Sequence, residues 1–148
     1  MSEPRLKLDL QIGSRAVRPP SLVQIRRWAG AALKRRGEIT VRIVGAAEAR
    51  RLNRRYRGED RPTNVLSFPY ALSRSQVQGD VILCAPVIAR EARSQGKTLE
   101  AHFAHLTVHA VLHLQGHNHT RRRSAERMEA LETRLMAKLG YPDPYAAS

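Results

Sequence analysis

Residues 80–120 read DVILCAPVIAREARSQGKTLEAHFAHLTVHAVLHLQGHNHT and pass from one strand into two successive helices. Asp80 to Cys84 is a short apolar run, the pattern of a strand buried on both faces. Pro86 suits the first position of a helix, because its missing N–H would be unpaired there anyway, and Gly96 ends that helix. Thr98 caps the next one, Glu100 sits near its positive end, and Gly116 stops it. Cys84 is the single cysteine, so no internal disulfide forms, and its place after Val81, Ile82 and Leu83 reads as a buried strand thiol.

Working outward, the same alternation of strand and helix continues. Leu6 to Ile12 alternates apolar and polar residues as a half-buried strand does. Val17 to Pro20 is a turn, and Ser21 caps a helix reaching to about Arg36 and ended by Gly37, with Leu22, Ile25, Trp28, Ala29 and Leu33 on its apolar face. Glu38 to Val44 is a second strand. Ala46 to Tyr56 is a helix that turns Leu52 inward and Arg50, Arg51, Arg54 and Arg55 mostly outward. Gly58 to Thr63 is a loop in which Pro62 blocks further helix. Val65 to Phe68 is a short strand, and polar Ala71 to Gln78 reads as loop. The last helix starts at Ser124, carries Met128, Leu131, Leu135 and Leu139 inward, and stops at Gly140 and Pro142. The expectation is a single α/β (α+β) domain over residues 1–148, with a small mixed sheet packed by about five helices. Strand order is not readable at this level.

All six histidines fall between residues 102 and 119. His109 and His113 are four apart on a helix, so they differ by about 40° around its axis and project from one face. A third ligand requires the chain to turn back. Gly116 tolerates the left-handed conformation that such a turn needs, and His119 then completes a three-nitrogen set. Three imidazoles favour one zinc ion with a fourth position open to water or substrate. The pattern H-x3-H-x2-G-x2-H matches that of metzincin proteases except for their glutamate general base, whose position here is Ala110. Alanine moves no proton, which turns the site away from peptide hydrolysis. His102 and His105 read as hydrogen-bonded core or surface histidines. His105, four residues before His109, and His117, across the turn from His119, are lesser candidates for ligands.

The chain has 148 residues, 42% of them hydrophobic, enough to bury a core. Lys and Arg number 26 against 13 Asp and Glu, a net charge of +13 carried mostly by arginine. Such a field attracts polyanions, and the planar guanidinium suits phosphate. No stretch has the length of a signal peptide's apolar region or of a membrane span, which points to a cytoplasmic protein without a membrane partner. Residues 52–69, LNRRYRGEDRPTNVLSFP, form a loop before a short strand, a usual place for site residues. In it Asn53 and Asn64 could simply turn the backbone.

LNRRYRGEDRPTNVLSFP, QGDVIL and HAVLHLQGHNH, in that order, together with the ending LETRLMAKLGYPDPY, resemble the YbeY family of bacterial rRNA maturation endoribonucleases, over roughly residues 38–145. The resemblance implies a cytoplasmic, metal-dependent hydrolase that cuts single-stranded RNA, acting in 16S rRNA 3′-end maturation and ribosome quality control. Its partners would be rRNA and ribosome or small-subunit components, with no DNA. The family's metal histidines fall on His109, His113 and His119, in agreement with the helix geometry, and its functional arginine falls on Arg57. Ala110, His117 and Asn118 stand where the family usually has glycine, tyrosine and aspartate, and Asn64 where many members carry aspartate. Zinc would polarise a phosphoryl oxygen, and Arg57 would bind the scissile phosphate. The general acid and base, and the choice between water and the RNA 2′-hydroxyl as nucleophile, stay open. The alternatives are a non-catalytic zinc-containing ribosome assembly factor and, opposed by Ala110, a metalloprotease.

Overall fold

The computed structural model describes residues 6–72, 75–117 and 120–146. Four strands, β1 (Leu6–Ile12), β2 (Arg36–Val44), β3 (Val65–Leu72) and β4 (Gln76–Cys84), form one sheet in the order β1-β2-β4-β3. β1 and β2 are parallel, β2 and β4 are parallel, and β3 runs antiparallel along β4. Five helices accompany them: α1 (Leu22–Ala32), α2 (Ala46–Arg57), α3 (Ala85–Gln95), α4 (Leu99–Leu114) and α5 (Arg122–Leu139). This is the expected mixed sheet with five helices.

Side-chain alternation along β4 explains the layering. Val77, Val81 and Leu83 enter the main core, with α1, α4 and α5, while Ile82 and Cys84 enter a smaller core with Ala49, Leu66 and Val87. A strand covered on both faces reads as a near-continuous apolar run, as this one does. Gly79 occurs where the layers approach most closely. A Cβ there would lie 2.7 Å from Leu114 Cδ2 and 2.7 Å from the Phe68 carbonyl oxygen, so the end of α4 could not sit on the sheet with a larger residue. α4 is buried almost all round its axis, through Phe103, Ala104, Leu106, Val108, Val111, Leu112 and Leu114. A helix apolar on every side belongs inside the core. His102, His105, His109 and His113 are therefore carried by the central helix of the molecule.

Three boundaries differ from expectation. α1 stops at Ala32 and not near Arg36, and Gly37 is part of β2. The Gln115 side chain replaces the lost turn: its Nε2 donates to the Ala32 carbonyl at 2.7 Å and its Oε1 accepts from Lys34 N–H at 3.0 Å. Gly37 makes room there, because a Cβ would lie 2.8 Å from Leu33 Cδ1. Residues 71–78 are not a loop throughout: β3 runs to Leu72 and β4 starts at Gln76. Gln76 and Gln78 are polar because they donate across the sheet to Glu38 Oε2, at 3.2 and 3.3 Å, while Val77 between them is buried. Finally, α5 begins at Arg122, two residues before Ser124, with the Ala125 N–H paired to the Arg121 carbonyl.

Candidate functional site

The site grows from one turn of α4. His109 and His113 present their rings on the same side, with centroids 5.1 Å apart and planes at 65°. Both line a cleft of about 680 Å³ whose other wall comes from the end of α2 and from β3. Arg57, Asn64 and Thr120 line the same cleft.

Arg57 reaches this wall because α2 ends under it. Gly58 adopts φ 71°, a left-handed cap that an L side chain disfavours, and its N–H pairs with the Arg54 carbonyl. The following loop is tied down from α2. Asn53, buried, donates from Nδ2 to the Arg61 carbonyl at 2.8 Å, and Arg50 holds Asp60 with two hydrogen bonds of 2.8 and 3.0 Å. Asn53 is thus a backbone-turning residue, as its type allows. Asn64 is different: its Nδ2 donates to Glu91 Oε1 at 3.0 Å, and the same oxygen accepts from His102 Nε2 at 2.9 Å.

A residue that the apolar stripe concealed anchors the histidines. Glu132 of α5 is fully buried. Its Oε1 accepts from His105 Nε2 at 2.7 Å, from His109 Nδ1 at 3.1 Å and from the Tyr145 hydroxyl at 2.9 Å. Burial pushes this carboxyl up, but the hydrogen bonds from His105 and His109 overcome that and hold it below the usual carboxylate range. An ionised carboxylate against Nδ1 requires the proton on that nitrogen. Nε2 then carries the lone pair of the neutral ring, the arrangement found behind metal-binding histidines. The inward row on α5 is Met128, Glu132, Met136 and Leu139, with Leu131 and Leu135 at its margin. The detectable signal was a carboxylate four residues from Met128 and four from Met136, in the middle of an apolar row.

His102 and His105 are buried and bonded to Glu91 and Glu132, so both are structural. Burial, partly offset by the bond to Glu91, lowers the pKa of His102. His117 is half-buried and is not part of the cleft lining; burial and then the Lys34 charge lower its pKa. His119 lies outside the described residues. Gly116, at φ 97°, makes the expected turn ahead of it. Among the described residues no group of three potential metal ligands is found. The pair itself fits a shared ion: two imidazoles on one tetrahedral zinc, each at about 2.0–2.1 Å, hold their centroids roughly 5 Å apart.

The sequence profile described as Endoribonuclease YbeY matches residues 22–140, from the start of α1 to the cap of α5. The chain belongs to the YbeY family. A protein from Aromatoleum aromaticum named Endoribonuclease YbeY is 59% identical over 145 residues, covering 96% of this chain and 94% of the relative. One of the same name from Methylobacillus flagellatus is 51% identical over 144 residues, covering 97% and 96%. The solution structure of a Thermotoga maritima protein shares the fold with a TM-score of 0.58 at 21% identity, over 95% of this chain and 99% of that one. The YbeY match includes every residue named above as lining the cleft, and Glu132 behind it.

Proposed function

We propose that this chain is a zinc-dependent endoribonuclease that cuts single-stranded RNA, in 16S rRNA 3′-end maturation and ribosome quality control. The observation that carries the reading is the cleft in which the His109–His113 pair faces Arg57, with Glu132 fixing the tautomer of His109. Membership of a family whose named relatives are endoribonucleases supports RNA as substrate. The net charge of +13 supports a polyanionic partner, including rRNA within small-subunit precursors. A cytoplasmic location is part of the proposal, since that is where such precursors are made. No helix among the described residues is long and apolar enough to cross a membrane.

His109 and His113 would hold the ion through Nε2 of the first and a ring nitrogen of the second, with His119 as third ligand. A zinc ion so bound supplies Lewis-acid polarisation of a phosphoryl oxygen. Arg57 has the roles that a guanidinium performs best: it binds the scissile phosphate through two parallel N–H groups and offsets charge that develops in the transition state. Glu132 keeps the His109 ring from rotating and holds its proton on Nδ1, which leaves Nε2 facing the cleft. Ala110, next to His109, offers no proton-transferring group, which disfavours peptide hydrolysis.

The test incubates purified zinc-loaded protein with single-stranded and duplex RNA, with and without chelator, beside the His109, His113 and His119 alanine variants. Cleavage of the single strand, lost with chelator and in the variants, is expected. RNA binding with no cleavage under any metal condition would overturn the enzymatic reading in favour of an assembly factor.

A further inference from the structure

Tyr56 immediately precedes Arg57 and is 57% exposed. It is nonetheless held in place. Its centroid lies 5.2 Å from that of Phe68 with the planes tilted by 60°, and the Arg55 guanidinium carbon lies 5.4 Å from its centroid. Phe68 is in turn packed against the small core under α2, so the pair rests on a rigid base. Both rings line the cleft that contains Arg57, His109 and His113. Among the described residues the Tyr56 hydroxyl makes no hydrogen bond, whereas Trp28, Tyr70, Tyr141 and Tyr145 all use their polar atoms. The useful part of Tyr56 is therefore its ring.

We propose that Tyr56 and Phe68 form a stacking platform for one nucleobase, next to the phosphate bound by Arg57, and that this platform makes the cleft select unpaired RNA. The inference rests on the endoribonuclease reading and deepens it. An aromatic face beside a guanidinium is the usual means of holding a single strand without reading its sequence, because every base has a π-face. A base inside a duplex has both faces covered by its neighbours and has none to offer. The exposed Arg55 guanidinium lies over the Tyr56 ring, so a base on that side stacks on the guanidinium plane or takes its place on the ring.

The experiment uses zinc-loaded full chain and a short single-stranded RNA with one 2-aminopurine, whose fluorescence is quenched by stacking. Titration with the wild type is expected to quench it. Tyr56→Ala is expected to weaken binding about tenfold and abolish the quench, with bound zinc and Tm unchanged. Tyr56→Phe and Tyr56→Trp are expected to retain both, and the preference for single strand over duplex is expected to shrink only in the alanine variant. Equal quenching and affinity for Tyr56→Ala and wild type, or a loss in Tyr56→Phe as large as in Tyr56→Ala, would overturn the platform. The quench is read without cleavage, so the two readings fail separately. A wild type that stacks the base but never cuts leaves the platform standing and removes the nuclease, whereas a wild type that cuts without quenching removes the platform alone.

Discussion

The two ends of the histidine row on α4 make the same residue into different things. At the N-terminal end, His102 and His105 are buried and bonded to Glu91 and Glu132. One turn further on, His109 keeps a bond to the same Glu132 but opens onto the cleft, and His113 lines the cleft beside it. Spacing along the helix is nearly constant, so spacing does not decide their roles. What decides them is the surface packed opposite: α3 and α5 close over the first pair, while β3 and the end of α2 stand off from the second. A buried carboxylate behind a histidine is compatible with either role. It becomes a device for metal binding only where the other nitrogen has space in front of it.

The comparison breaks most decisively at the metal. His113→Ala is expected to remove bound zinc and to lower cleavage by more than about a hundredfold with the fold intact, while His105→Gln keeps the metal. Metal analysis of both variants checks this, and a His105→Gln protein without zinc would erase the distinction between the ends. The next largest effect is on stability. Glu132→Ala leaves the buried His105 Nε2 without its acceptor and is expected to cost about 1–3 kcal/mol in chemical denaturation, the range for orphaning a buried hydrogen-bonding group. Glu132→Gln preserves shape and sharpens the test: zinc affinity is expected to fall about 10- to 100-fold through loss of the anchor for His109. Arg57→Ala follows, with kcat lowered about a hundredfold and zinc unchanged, and Arg57→Lys recovering only part because lysine lacks the planar fork. Unchanged cleavage would take Arg57 out of the mechanism.

The smallest effect concerns pH at the buried end. The pKa of His102 is lowered by burial, so folding favours its neutral form. That contribution is fully present above its unfolded value of about 6.5 and is lost as pH falls through the lower folded value. Wild-type Tm is therefore expected to decline on acidification below about pH 6.5 more steeply than that of His102→Gln. Parallel curves would show that His102 does not contribute to acid sensitivity.

The layering was legible because it is written in periods: alternation in β1, the continuous apolar run of β4, and helix caps at Ser21, Thr98, Gly96 and Gly140. The His109–His113 pair was legible for the same reason, since one turn of helix fixes it. What escaped depends on contacts between residues distant in the chain. Gln115 ends α1 from the far end of α4, and Gln76 and Gln78 look like loop until Glu38 is seen beside them. Glu132 was hidden among apolar neighbours, because a stripe read for hydrophobicity discards its most informative member. Tyr56 was passed over because a ring at a helix end is exposed or buried according to what lies across from it, here Phe68.

The bond from the Tyr145 hydroxyl to Glu132 ties the tail of the chain to the oxygen that holds His109. The cleft therefore has a rear support, supplied by a segment that lines none of it. A fusion or a cut close behind Pro144 acts on the histidines from the far side of α4, and a loss of activity in such a protein would report a disturbed hinge-pin and not a blocked entrance.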